Sequence, residues 1–243
     1  MKKNFTLIEL LVVVAIIGIL ASLLLPVLGK ARKTARTAVC VSNMKQISTA
    51  SYLYLDDNLD TFPGYYIHGG QAHNSLPMYS LVGVKGKQGG YVYEPEYKMV
   101  NPYLGDFTGD DRVPVAHCPL DEKPLNSAFS GDTTYDAIGS SYGLNSRTNT
   151  DLKIGGLDAD GNNKGQYTGV SLSEISTASS EMVMALEVNA WHFATAGSAN
   201  IWSTGWHGNN KYTMAFIDGH VKNMTVYDQN KNNDNYKFDR NNP

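Results

Sequence analysis

The longest apolar run of the chain lies near its start. Residues 10–28 read LLVVVAIIGILASLLLPVL, with no charge and with Ser22 as the only side-chain hydroxyl. With residues 5–8 and Glu9 in front, the stretch 5–28 covers about 36 Å as a helix. A bilayer core takes about 20 apolar residues, so the pattern predicts a membrane-spanning helix over 5–28. A secretory signal has a shorter apolar region, about 7–15 residues, with a small-residue cut site behind it. A core helix of this length seldom stays apolar all round. Pro26 brings no amide proton and should loosen or kink the helix near its end.

Past Gly29 the pattern changes from all-round apolar to one-sided. Cys40, Met44, Ile47, Ser51 and Tyr54 recur at steps of four, three, four and three, which is one face of a helix. Lys33, Arg36 and Lys45 lie off that stripe. The reading is an amphipathic continuation over 29–58 whose apolar face needs a domain to cover it. Asp56-Asp57-Asn58 and Phe62-Pro63-Gly64 supply the stop.

The remaining stretch, 59–228, reads as one globular domain. Residues 64–180 are rich in Gly, Asn, Ser, Thr and Tyr and lack clear periodicity, which predicts loops, short strands and one short helix. Residues 182–188 read as a strand. Residues 212–217 and 220–227 flank Asp218-Gly219, a strong hairpin signal. A type I′ turn there would set Phe216 opposite Val221, with Met214 on the same face. The small antiparallel sheet would lie on the helix stripe, giving an α+β fold. Residues 229–243 (QNKNNDNYKFDRNNP) read as a polar, frayed tail.

Charge sharpens the division. The net charge is −3, but residues 1–45 carry +6 and residues 46–243 carry −9. The overall balance argues against a nucleic-acid binder, which needs clustered Lys and Arg. Lys2 and Lys3 precede the span, while Lys30, Arg32, Lys33 and Arg36 follow it. That bias favours a cytoplasmic carboxyl side, whereas the later composition favours export, so charge leaves the orientation open. Glu9 is the odd residue in the apolar layer. A carboxylate at mid-span costs about 2.5–3.5 kcal/mol and less near the edge.

Lys2-Lys3-Asn4-Phe5-Thr6-Leu7-Ile8-Glu9-Leu10 followed by the apolar run resembles the amino terminus of type IV prepilins and type II secretion pseudopilins. Their pattern is a short basic leader, a cut before Phe, then Thr-Leu-Ile-Glu and a hydrophobic helix. Pro26 falls 22nd from Phe5, as the family's helix proline does. The family usually has Gly before the cut, where this chain has Asn4. Further stretches resemble one large pseudopilin-like group: Cys40-Val-Ser-Asn43-Met-Lys45-Gln46-Ile47 with Tyr54-Leu-Asp56-Asp57-Asn58, then Cys118-Pro119-Leu-Asp121, and Ser141-Tyr142-Gly143-Leu144-Asn145. The last is His207 followed by Asp218-Gly219. Ten residues separate His207 from Asp218, one more than the group's pattern, and a one-residue loop insertion is cheap.

The resemblance implies a pilin-like fold, with a long amino-terminal helix packed on a small antiparallel sheet domain. It implies that a prepilin peptidase removes residues 1–4 and methylates the new amino group of Phe5. Subunits would then pass from the membrane, through an inner-membrane assembly platform, into a filament of pilin or pseudopilin subunits. Glu9 would pair with the Phe5 ammonium of a neighbour, since a buried carboxylate is tolerable once paired. The chain would be a single-pass inner-membrane protein whose carboxyl-terminal domain is periplasmic or in an extracellular filament. No catalysis is implied.

The remaining chemistry is sparse. After export, Cys40 and Cys118 meet oxidising conditions and could form one bridge; two buried free thiols are the other reading. Gly139-Ser140-Ser141-Tyr142-Gly143 matches G-x-S-x-G, but a nucleophile elbow needs an apolar strand before and a helix after, and neither is evident. Six histidines (68, 73, 117, 192, 207, 220) show no spacing that selects a triad. Asp158, Asp160 and Asn162 begin like a calcium loop, yet the sixth position is Asn163 and the twelfth Gly169, where an EF-hand needs Gly and Glu. A looser calcium site competes there with a plain acidic turn. No other cofactor is expected. His207 and Asp218 read as metal ligands or as hydrogen-bonding ties between loop and hairpin. Two other functions stay open: a signal-anchored binding module that never polymerises, and a membrane-anchored hydrolase built on Ser141.

Overall fold

The computed structural model describes residues 6–62, 67–68, 71–72, 79, 81–87, 95, 98–107, 112–124, 131–145, 170–196, 205–227 and 232–239. Helix α1, Leu7–Asp57, has 51 residues and is about 75 Å long. Thr6 caps its start, its hydroxyl accepting the Glu9 amide while the Glu9 side chain returns to the Thr6 backbone, a capping box that satisfies two otherwise orphaned donors. The helix continues through Pro26. It ends at Asn58, whose side chain donates to the Tyr54 carbonyl at 2.7 Å. Leu59 and Asp60 then take positive φ, 54° and 55°, and helical geometry cannot continue through them.

The pairs β1 (Ile67–His68) and β2 (Gln71–Ala72) form a small ladder. Helix α2 (Thr134–Ile138) leads into β3 (Tyr142–Leu144). Then follow β4 (Val183–Glu187), α3 (Val188–Ala196), β5 (Lys211–Phe216) and β6 (Val221–Thr225). The main sheet has the order β3-β4-β5-β6, every neighbouring pair antiparallel. The fold is therefore a long apolar-led helix on a small antiparallel sheet, an α+β arrangement, as expected.

Both faces of the sheet are covered. Ala185 and Ala215, with Tyr142 and Met184, join Cys40, Met44, Ile47 and Leu55 of α1 in one buried cluster. Val183, Leu186, Met214 and Phe216 belong to a second cluster with Trp191 and Phe193 of α3. Alternation along a strand sends successive side chains to opposite faces, and the register shift between Val183 and Ala185 lets Met184 and Ala185 share the α1 side.

Two expectations are corrected here. The hairpin register is offset by one: Ala215 faces Val221, so Phe216 lies in the second cluster while Val221 packs against the first. In the turn, Gly219 alone has positive φ, 86°, and Asp218 does not. The Gly219 amide donates to the Phe216 carbonyl at 2.9 Å and the Phe216 amide to the His220 carbonyl at 3.0 Å. This is a three-residue turn with a glycine bulge rather than type I′. The Asp218 carboxylate holds it by accepting the His220 amide at 3.1 Å.

The polar tail is the second correction. Over 232–239 it is docked, with β7 (Asn232–Asn233) and β8 (Tyr236–Lys237) paired to each other. Tyr236 and Phe238 are fully buried in the second cluster. Asn145 donates to the Phe238 carbonyl at 3.0 Å, and Thr177 to the Asp239 carbonyl at 2.8 Å. Asn232 Oδ1 accepts the Phe238 amide at 2.9 Å, so the Asn-rich composition builds turns that deliver two aromatics.

Candidate functional site

Among the described residues, the first part of α1 leaves the largest apolar surface uncovered. Every residue from 6 to 35 is exposed. Over 7–28 these include sixteen large Leu, Ile and Val side chains, from Val13 at 47 % to Leu7 at 78 % exposure. Burying each is worth about 1.5–3 kcal/mol, so leaving all of them in water would cost tens of kcal/mol. A contiguous apolar surface of this size marks an interaction or membrane site. The helix is long and apolar enough to cross a membrane.

Glu9 is the one charge between residues 6 and 28. Its Oε2 accepts from the Thr6 amide at 2.8 Å and from the Thr6 hydroxyl at 2.8 Å. In the single chain, the carboxylate is thus turned back onto the helix start. Asn4 and Phe5 lie outside the described residues, as do Asp158, Asp160 and Asn162 of the calcium reading.

The second part of α1 is fastened to the domain. Cys40 and Cys118 form a disulfide with Cα atoms 5.1 Å apart and a sequence separation of 78. Arg36 pairs with Glu122 at 3.1 Å. Asn43 donates to the His117 carbonyl at 3.0 Å. Tyr52 donates to the Ile217 carbonyl, and the Tyr103 hydroxyl to Asp57 at 2.7 Å. These ties run from the middle of the helix to its end, so the domain grips only that part.

His207 and Asp218 are not brought together. His207 Nδ1 lies 3.0 Å from the Thr37 hydroxyl, and its Nε2 lies 2.6 Å from Glu187 Oε1 and 3.2 Å from Thr213 Oγ1. His207 therefore ties its loop to β5, to the end of β4 and to α1. Asp218 pairs with His220 at 2.6 Å within the turn, beside Tyr52. Thr37 and Tyr52 are 15 residues apart on one helix, about 22 Å, so a shared metal is excluded. Gly219 supplies the positive φ of the turn.

Ser141 is not a nucleophile elbow. Its neighbours run helix, turn, strand, from α2 to β3, the reverse of the order that chemistry needs. Ser141 is fully buried, donates to Asp121 at 2.7 Å and accepts the Cys118 amide at 3.0 Å. Among the described residues no histidine bonds it. Asp121 also accepts the Thr134 and Tyr135 amides at 2.9 and 2.8 Å, so it caps α2 and anchors the Cys118 loop. Burial raises its pKa to about 6, against the lowering by those hydrogen bonds.

Glu187 and Thr37 are functional candidates that the sequence reading passed over. Glu187 is the only acid in an apolar strand, Met182-Val-Met-Ala-Leu-Glu187, and that isolation was a usable signal.

The chain is 46 % identical over 56 residues to the type IV wide pilus major component PilA4 of Thermus thermophilus. It is a partial relative of a type IV pilin. The matched stretch is 23 % of this chain and 43 % of PilA4, so the chain spans less than half the length of that relative. No family model matches the chain, and no solved structure does.

Proposed function

We propose that this chain is a structural pilin-like subunit of a type IV pilus or type II secretion filament, with no catalytic activity of its own. The observation that carries the reading is the division of α1: its apolar first part is bare and its second part is clamped to the domain. A bare apolar rod on a rigid head fits a subunit stored in lipid and assembled against copies of the same rod. The partial likeness to PilA4 and the long apolar helix support the same reading. A prepilin peptidase would cut between Asn4 and Phe5 and methylate Phe5. The inner membrane would hold the subunit by one pass until an assembly platform moves it into the filament, with the head periplasmic or outside the cell.

Glu9 would fix the register. Its acceptor Oε2, held by Thr6 in the single chain, would exchange that partner for the Phe5 ammonium of a neighbour, a charge-assisted bond roughly twice as strong as a neutral one. Glu9→Ala should leave membrane insertion intact and reduce sheared filament yield. Filaments at the normal level from that variant would contradict the register role. A signal-anchored binding module would keep residues 1–4 and form no filament in any background.

A further inference from the structure

Beneath α1, four segments bring one donor side chain each to a single buried point. Cys40 comes from the helix, Cys118 from the loop before α2, Glu187 from the end of β4, and His207 from the loop before β5. All four residues are buried, and one ligand atom from each lies within 4.8 Å of every other. Two of the four, the cysteines, are spent on the disulfide. The other two leave a question: Glu187 is fully buried, and among the described residues its Oε2 has no hydrogen-bond partner. A buried carboxylate oxygen without a partner is costly.

We propose that, when Cys40 and Cys118 are reduced, Cys40, Cys118, Glu187 and His207 form a tetrahedral Zn²⁺ site, which the disulfide closes. Two thiolates, one imidazole and one carboxylate are zinc ligands by type. Zn–S bonds of about 2.3 Å and Zn–N or Zn–O bonds of about 2.0 Å put tetrahedral ligand atoms about 3.3–3.8 Å apart. The four atoms stand within reach of that spacing. Nε2 of His207 and Oε1 of Glu187, now 2.6 Å apart, part slightly to admit the ion.

The surroundings already orient the imidazole. The Thr37 hydroxyl donates to the Lys33 carbonyl at 3.1 Å, so toward His207 Nδ1 at 3.0 Å it acts as acceptor. That keeps a proton on Nδ1 and directs Nε2 at the cluster, the outer hydrogen bond that metal-bound histidines show. Glu187 Oε2 lies on the same carboxylate and gains a cation to face.

Two thiols release two protons to solvent as Zn²⁺ binds. On oxidation each thiolate sulfur gives up one electron and the S–S bond forms. The two electrons go to a disulfide-type oxidant, whose own S–S bond breaks and takes up two protons from solvent to give two thiols, and Zn²⁺ leaves unchanged in charge. Zinc and the disulfide are therefore alternative clamps of the same helix on the same domain, and each opposes the other by mass action. This inference does not depend on filament assembly.

The test uses the full chain in detergent, reduced with a phosphine, and Co²⁺ as the probe. Reduced wild type should bind one equivalent of Co²⁺ with a thiolate charge-transfer band and tetrahedral ligand-field bands, displaced by Zn²⁺. The disulfide form should show neither. His207→Ala and Glu187→Gln should change the ligand-field bands, and Thr37→Val, which keeps all four ligands, should weaken binding about 10–100-fold. As a readout on wild type alone, Zn²⁺ at ten times its Kd should slow thiol oxidation by glutathione disulfide about tenfold, and a chelator should restore the rate. Reduced wild type that lacks the Co²⁺ bands, loses its fold by circular dichroism on reduction, or oxidises at one rate with and without Zn²⁺ overturns the proposal. Bands unchanged in His207→Ala and Glu187→Gln would overturn the four-residue site.

Discussion

Leu20 and Met44 are apolar residues on the same helix, yet Leu20 is 55 % exposed and Met44 is fully buried. Nothing in helix propensity separates them, since both residue types are good helix formers. The difference lies in what surrounds each. Around Met44 the helix is polar on its other faces, so one covering domain suffices. Around Leu20 it is apolar all round, and no single domain of this size could cover it. The chain therefore carries one part of a core that it completes itself and another that lipid or other chains must complete.

Perturbing the clamped part should unfold the head and leave the bare part alone. The largest effect is expected at the disulfide. Cys40→Ser or Cys118→Ser opens a loop closed over 78 residues, and chain entropy assigns such a closure about 4 kcal/mol. Denaturant unfolding followed by near-UV circular dichroism should show that loss. An unchanged midpoint would mean that packing alone holds helix to head.

Next comes Met44→Ala, which empties a fully buried site and should cost about 3 kcal/mol. The same unfolding curve is the check, and a loss below 1 kcal/mol would mean that the helix face repacks freely (large-to-small core changes run about 2–5 kcal/mol).

Asp121 should give a pH-dependent effect on the order of 3 kcal/mol. Its folded pKa of about 6 lies above the reference value of 3.8. The native state then holds the proton more tightly than the unfolded chain between those values. The contribution is complete below about pH 4 and is lost as pH rises through about 6. Stability measured from pH 4 to 7 should fall more steeply in wild type than in Asp121→Asn. Equal slopes would show that the Ser141, Thr134 and Tyr135 hydrogen bonds outweigh burial.

The smallest effect on the head is expected from Leu20→Ala, close to zero in the unfolding curve. Its consequence should fall on assembly, because it removes apolar surface from the bare part. A head destabilised by more than about 1 kcal/mol would mean that the first part of α1 folds back on the domain, against the large-to-small costs seen only at buried sites.

The contrast between Leu20 and Met44 was legible in the residues, because all-round and one-sided apolar patterns differ in period. So were three of the four strands of the sheet: residues 182–188, 212–217 and 220–227 match β4, β5 and β6 to within a few residues, whereas β3, Tyr142–Leu144, is too short to show a period. The hairpin register was not, because Asp218 binds the His220 amide and keeps a negative φ, which Asp-Gly alone does not reveal. The docked tail was hidden by composition, since only Tyr236 and Phe238 in 229–243 are aromatic and the asparagines around them read as disorder. The cluster at Glu187 was out of reach, because its members come from four segments that only the fold joins.

The most direct test of the filament account is the intact mass of the protein extracted from membranes. The account predicts a chain shortened by Met1-Lys2-Lys3-Asn4 and heavier by one methyl group on Phe5. A membrane-extracted, functional protein that still carries those four residues would contradict it.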